Sequence, residues 1–216
     1  DDIPGNMQAV FNGETSRVAA VMVQKKKSYD KLAALGAKKD MLHKLGFIYP
    51  FERENAGRTK ALICTNSDNI EHCEELVRAL PQMHFHIAAL TEMSSKLTGM
   101  DSYDNVSLHP GAKTGFLDEL FRTCDYYFDI NHESEIVSAV RKAFLHDQLI
   151  FAFKETIHDP DFAAKEHIYP ADKWEQMCAD VKASVADQKV RKKMLQRQKK
   201  SAMAETVKSY QKLLAE

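Results

Sequence analysis

Glycine and proline are scarce, with eight and six among 216 residues. The glycines form neither a G-x-G-x-x-G run nor a Walker pattern, which excludes the usual Gly-rich phosphate loops. G-x-S-x-G is missing too, and with it the serine nucleophile elbow. The four cysteines, Cys64, Cys73, Cys124 and Cys178, have neither zinc-site spacing nor the density of a disulfide framework. Reduced thiols in a cytoplasm are the expectation. No stretch approaches the roughly 20 apolar residues that span a bilayer. Residues 1–15 carry no cationic, apolar signal pattern. The chain opens on Asp1 rather than Met, so the natural protein is expected to extend further upstream. A formal charge of -1 gives the whole molecule no general attraction for nucleic acid or anionic membrane.

What is present is a 44% hydrophobic fraction, enough for a packed core. Apolar runs at 61–65, 85–90, 106–109, 126–130 and 149–153 read as strands. Between them, amphipathic patterns predict helices over 69–80, just after 91–95, over 116–123 and over 133–146. Asp68 and Glu71 have capping-box spacing for the first helix, and Pro81 ends it. Strand and helix alternating at this rhythm specify an α/β fold, a Rossmann-like parallel sheet with helices on both faces. Strands covered on both faces should be apolar throughout, as these are.

Upstream, 18–23 reads as a strand, 29–35 as a helix, 41–45 as a second short helix, and 47–50 as extended before Pro50. Residues 1–50 thus read as the end of a preceding domain or a small subdomain, and 51–60 as a charged linker. The sheet domain covers 61–170, with 160–170 irregular. C-terminal helices fill 171–216. The first, over 171–185, has Trp174, Met177, Cys178 and Val181 on one face; the second, over 187–214, is separate or a continuation.

Ligands of such sheets sit beyond the carboxyl ends of the strands. The candidate binding residues there are Asn66, Ser67, Thr91, Ser94, Ser95, Lys96, Asn131, His132, Glu133, Thr156 and His158. His132, Glu133 and His158 could serve as acid or base, or simply tie loops down. Ser94 and Ser95 open a short helix whose amino end could meet an anion, or they only cap it. His84 and His86 share a strand face but have no third metal ligand nearby in sequence. The basic run 188–200 lacks interleaved aromatics, which weakens a nucleic-acid reading; it reads as a solvated helix face or a docking surface for an acidic partner.

The strings TNSDNIE, LTEMSSKL, YYFDINHESEI and FKETIH, with LGFIYPFEREN upstream, resemble the second domain of GT-B glycosyltransferases. More narrowly, they resemble the GtfB-type subunit of the accessory-Sec glycosylation system. The resemblance covers most of residues 45–160. It implies a cytoplasmic two-protein O-GlcNAc transferase acting on Ser and Thr of serine-rich repeat adhesins. The catalytic subunit uses UDP-GlcNAc. The subunit resembling this chain stabilises it and holds the acceptor polypeptide, with no cofactor or metal of its own and at most a peripheral membrane location through the complex.

Two departures from active members bear on this. The Glu-x7-Glu pattern of retaining enzymes is missing: with seven residues between, the second position is Arg141 for Glu133 and Ala143 for Glu135. No Arg or Lys follows the first strand until Arg78, and Asp68 would repel a diphosphate. The alternative reading, an active domain binding a UDP-sugar donor, would rest on Lys96, His132, Glu133 and Glu135. A third is an unrelated nucleotide-binding domain.

Overall fold

The computed structural model describes Phe11, Val18 and residues 20–215. The chain forms two compact units, residues 50–201 and residues 1–49 together with 202–216.

The larger unit is built on six parallel strands: β3 (Lys60–Cys64), β4 (His84–Ala88), β5 (Val106–His109), β6 (Tyr126–Asp129), β7 (Leu149–Phe153) and β8 (Ile168–Tyr169), numbered after β1 and β2 of the smaller unit. Their spatial order is β5-β4-β3-β6-β7-β8. Counted within this unit, that is 3-2-1-4-5-6, the Rossmann order, with its switch point between β3 and β6. Side chains alternate across the sheet. Ala61 and Ile63 join Phe85, Ile87, Phe128 and Phe151 in one core with Leu76 and Val77 of α2 (Cys73–Ala79) and Met177 and Val181 of α6 (Trp174–Ala186). Phe128 sits 5.6 Å from Phe85 and 5.7 Å from Phe151, ring centre to ring centre. On the other face Tyr127 meets Phe121 of α4 (Thr114–Thr123). Val140, Ala143 and Phe144 of α5 (Ala139–Leu145) are fully buried. The α/β class, the parallel sheet and its two-sided cover therefore agree with the sequence pattern.

Several boundaries differ, each for a physical reason. The helix expected over 69–80 begins only at Cys73. Residues 69–71 spend their backbone groups on the loop after β6: His132 N–H donates to Asn69 O at 3.1 Å and Glu71 N–H to Ile130 O at 2.8 Å. His72 then turns at φ 49, and the Asp68–Glu71 capping box does not form. The helix expected over 133–146 is likewise delayed. Val137 and Ser138 have positive φ, and the Glu135 carboxylate accepts from Val140 N–H at 2.9 Å.

The segment read as a linker is clasped instead. Buried Asp125 takes ion pairs from Arg53 and Arg58, and Asn55 donates to Asp125 O and Asp147 O, both at 2.9 Å. Residues 187–214 are broken into α7 (Gln188–Ser201) and α8 (Val207–Ala215). Trp174 is only half-buried, whereas Met177, Cys178 and Val181 form the buried stripe.

In the smaller unit, β1 (Val21–Val23) pairs in parallel with β2 (Leu42–Lys44) across α1 (Lys26–Ala34). The short helix expected over 41–45 is therefore a strand. Leu42 points inward against Val23 and Leu32, and period two places it there once the partner strand is available. The strand expected over 18–23 begins at Val21; part of the remainder lies outside the described residues. Gly46 packs so closely on Met203 that a Cβ would collide with its carbonyl.

Candidate functional site

The switch point lies between the loops after β3 and β6, where a doubly wound sheet normally opens a crevice. Here the loops are stitched together. Ile70 and Asn131 form an antiparallel bridge, and Thr65 Oγ1 lies 3.1 Å from Asn131 Oδ1. His132 Nε2 reaches Glu71 Oε2 at 2.6 Å. Asn131 is buried, and its side chain also accepts from Glu133 N–H and donates to Glu133 O. These contacts close the crevice with protein groups.

Open space lies to the β4 side. A cleft of about 360 Å³ is lined by Asp68, Glu71, His72, Glu74, Glu75 and Lys96 over an apolar floor that includes Ile70, Leu97 and Met100. A second, of about 160 Å³, adjoins it through Asp68 and Leu97 and is bordered by Asn66, Ser67, Glu92, Met93 and Ser94. Four carboxylates and one lysine line the larger cleft, with Glu74 paired to Arg78 at 2.6 Å. Lys96 Nζ donates to Asp68 O at 3.3 Å. His72 stacks on Trp174 at 5.8 Å and pairs with Glu71 and Glu75. Such a lining repels a diphosphate.

The structure sorts the expected residues. Asn66, Ser67, Ser94 and Lys96 line the clefts. Ser94 caps α3 (Ser95–Thr98), accepting from Leu97 N–H, and donates to Asp68 Oδ2 at 2.6 Å. Capping therefore accounts for Ser94, and Ser95 is the exposed first residue of that single turn. Thr91 is exposed beside the clefts, and its carbonyl holds Gly111 N–H. Thr156 is buried with its hydroxyl on Asp129 O at 2.7 Å, a loop tie rather than a reachable ligand group.

His158 is clasped from both sides: Nδ1 lies 2.7 Å from Asp129 Oδ1 and Nε2 2.6 Å from Glu133 O. The bond to Asp129 raises its pKa to about 9 against the opposing effect of burial. Both nitrogens then donate, and His158 is an imidazolium that fixes the loops after β6 and β7. Glu133 is exposed at the rim, whereas the His132 side chain is partly covered and held by Glu71. Glu71, His72, Glu74 and Glu75 were not expected at the site, because the sequence pattern assigns them to the body of a helix. No local signal marks them: the cross-loop bonds that delay the helix leave Glu71 and His72 ahead of it, while Glu74 and Glu75 stay in its first turn and border the cleft from there.

His84 donates to or accepts from Ser107 Oγ at 2.8 Å, and His86 Nδ1 lies 3.0 Å from His109 Nε2. Burial, with His84 and His109 alongside, lowers the His86 pKa to about 4. Among the described residues no group of three or more His, Cys, Asp or Glu is placed to hold a metal. All four cysteines are free and buried, and burial pushes the Cys73 and Cys124 thiols up to about 12.

Residues 61–198 match the family described as the GftB/GlyA-F C-terminal domain. The chain belongs to this family. Residues 1–35 match the GtfB third domain. The family assignment sits with curated relatives that carry the name UDP-N-acetylglucosamine–peptide N-acetylglucosaminyltransferase stabilizing protein GtfB. The one from Streptococcus agalactiae is 43% identical over 179 residues, covering 82% of this chain and 40% of that protein. The one from Streptococcus gordonii is 38% identical over 217 residues, covering 99% and 48%. A solved GtfA/B complex bound to UDP and GlcNAc contains a chain that superposes with a TM-score of 0.83 at 36% identity, over 100% of this chain and 49% of that one. The chain thus spans less than half the length of these family members. Its sheet is the Rossmann-like second domain of a GT-B fold. Among the described residues no helix is long and apolar enough to cross a membrane.

Proposed function

We propose that this chain is part of a non-catalytic subunit of a two-protein O-GlcNAc transferase, one that stabilises the catalytic subunit and binds the acceptor polypeptide. The observation that carries this reading is the closed switch point, where the bridge between Ile70 and Asn131 and the Glu71–His132 pair tie together the two loops between which a doubly wound sheet usually takes its ligand. The acidic lining of the adjoining cleft supports it, because a sugar-nucleotide diphosphate brings charge of the same sign. The alternative of an active donor-binding domain needs cations at that mouth, and Lys96 stands there among four carboxylates.

Acceptor polypeptides rich in Ser and Thr are polar and nearly neutral. Asn66, Ser67 and Thr91 offer matching short hydrogen-bonding groups along the rim, with His132 beside them. Ordering a flexible segment opposes binding, so modest affinity is expected. Within this reading the acceptor is a serine-rich adhesin, glycosylated in the cytoplasm before export, with any membrane contact peripheral and made through the complex.

Calorimetric titration with UDP tests the reading. No heat of binding at millimolar UDP is expected, alongside capture of a serine-rich peptide that is weakened by His132→Ala. Saturable UDP binding to this subunit alone would overturn it.

A further inference from the structure

Helix α7 carries seven of the chain's 30 basic residues and none of its 31 acidic ones, leaving 23 against 31 elsewhere. Its inner face is fixed. Gln198 donates to Gln148 O at 2.7 Å and accepts from Ile150 N–H at 2.9 Å, Arg191 packs against Gly57, and Met194 and Leu195 enter the core. Gln148 and Ile150 flank the start of β7, and Gly57 precedes β3. The helix therefore runs beneath the amino ends of the strands, at the pole opposite the acidic clefts.

The outer face is a row of exposed side chains, Lys189, Lys192, Lys193, Gln196 and Lys200, at helical spacing. It extends about 17 Å along the helix axis. Arg197 beside it meets Glu166 only at 4.0 Å.

We propose that this row docks a partner protein through a strip of carboxylates, an acidic helix or edge presented along α7. Charge complementarity defines the occupant, and the rigid seating of the helix lowers the entropic cost of pairing. A lipid surface is less suited. Membrane-surface helices insert an apolar face, and the apolar side of α7 is already buried in the domain. Single-stranded nucleic acid would want aromatic platforms, and the row has none. Docking at this pole leaves the mouth of the sheet free, so the partner held here is a standing companion rather than the segment bound at the clefts.

The test uses the full-length protein and a fluorescein-labelled helical peptide with Glu on one face, read by anisotropy. Binding should weaken about tenfold on going from low to high salt. It should also fall about tenfold or more in K189E/K192E/K193E, with a smaller loss in the milder K189Q/K192Q/K193Q. A peptide of equal composition with Glu spread around the helix should bind more weakly. Equal binding by the two peptides, unchanged binding by a folded Gln variant, or stronger capture by phosphatidylglycerol vesicles than by the peptide would each overturn the proposal.

Discussion

His158 and Asp129 form a charged pair across the carboxyl ends of β6 and β7, with Nδ1 2.7 Å from Oδ1 and the His158 backbone N–H 2.7 Å from Oδ2. The loop after β6 is also one side of the closed switch point, so this pair braces the rim from the β7 side.

Its pH dependence follows from the sign of the shift. The folded pKa of His158, about 9, lies above the ordinary 6.5. The stabilisation is complete below the ordinary value and is lost as pH rises through about 9. Because the ring is partly solvated, the loss should be about 1–2 kcal/mol after solvent screening. Urea denaturation between neutral and strongly basic pH should show this decline in the native chain and a flatter profile in His158→Gln. An imidazole titrating near its ordinary value by NMR would refute it.

Asp125 anchors the segment entering the large unit. Burial opposes its ionisation, but hydrogen bonds from Arg58 and Arg53 outweigh this and hold the carboxyl below its usual range. Asp125→Ala leaves two guanidinium groups without their shared partner and should cost about 3–5 kcal/mol in guanidinium denaturation. Stability carried by this carboxylate is present above its ordinary pKa and is lost as pH falls through the lowered one. A loss below about 1 kcal/mol would mean that the clasp is incidental.

Val140 and Val137 separate a core position from a loop position. Val140 is fully buried in α5, whereas Val137 is half-buried at φ 51 ahead of it. Periodicity alone places both on the buried face of one helix. Val140→Asp should abolish cooperative unfolding, since an unpaired carboxylate would enter the core. Val137→Asp should cost at most about 1–2 kcal/mol. Circular-dichroism melts of the two variants, if indistinguishable, would contradict the helix start at Ala139.

Asn131 and His132 are neighbours with different roles. Asn131 is buried and joins Thr65 to Glu133, so Asn131→Ala should lower stability by about 1–3 kcal/mol. His132 is partly exposed and pairs with Glu71 across the loops, so His132→Ala should cost at most about 1 kcal/mol while weakening capture of a serine-rich peptide. Equal melting shifts for the two would erase this division.

Residue order alone was enough for β5 and β7, whose bounds coincide with the apolar runs 106–109 and 149–153. A strand buried on both faces has little choice of composition, so it is visible locally. The start of α2 was not visible. Nothing in the pattern of 69–72 competes with helix until the loop some 60 residues later supplies hydrogen bonds for its backbone. The same holds for β2, which becomes a strand only when β1 lies alongside.

The sequence by itself determined the α/β alternation, the lack of a phosphate loop and the rim from which polar groups project. These follow from period, composition and turn chemistry, which act over a few residues. Only the tertiary structure decided that the switch point is stitched shut, that Thr156 and Asn131 are inward ties, and that four carboxylates share a cleft with Lys96. Those outcomes depend on pairings between distant loops, whose hydrogen bonds outweigh local helix preference and leave no trace in neighbouring residues.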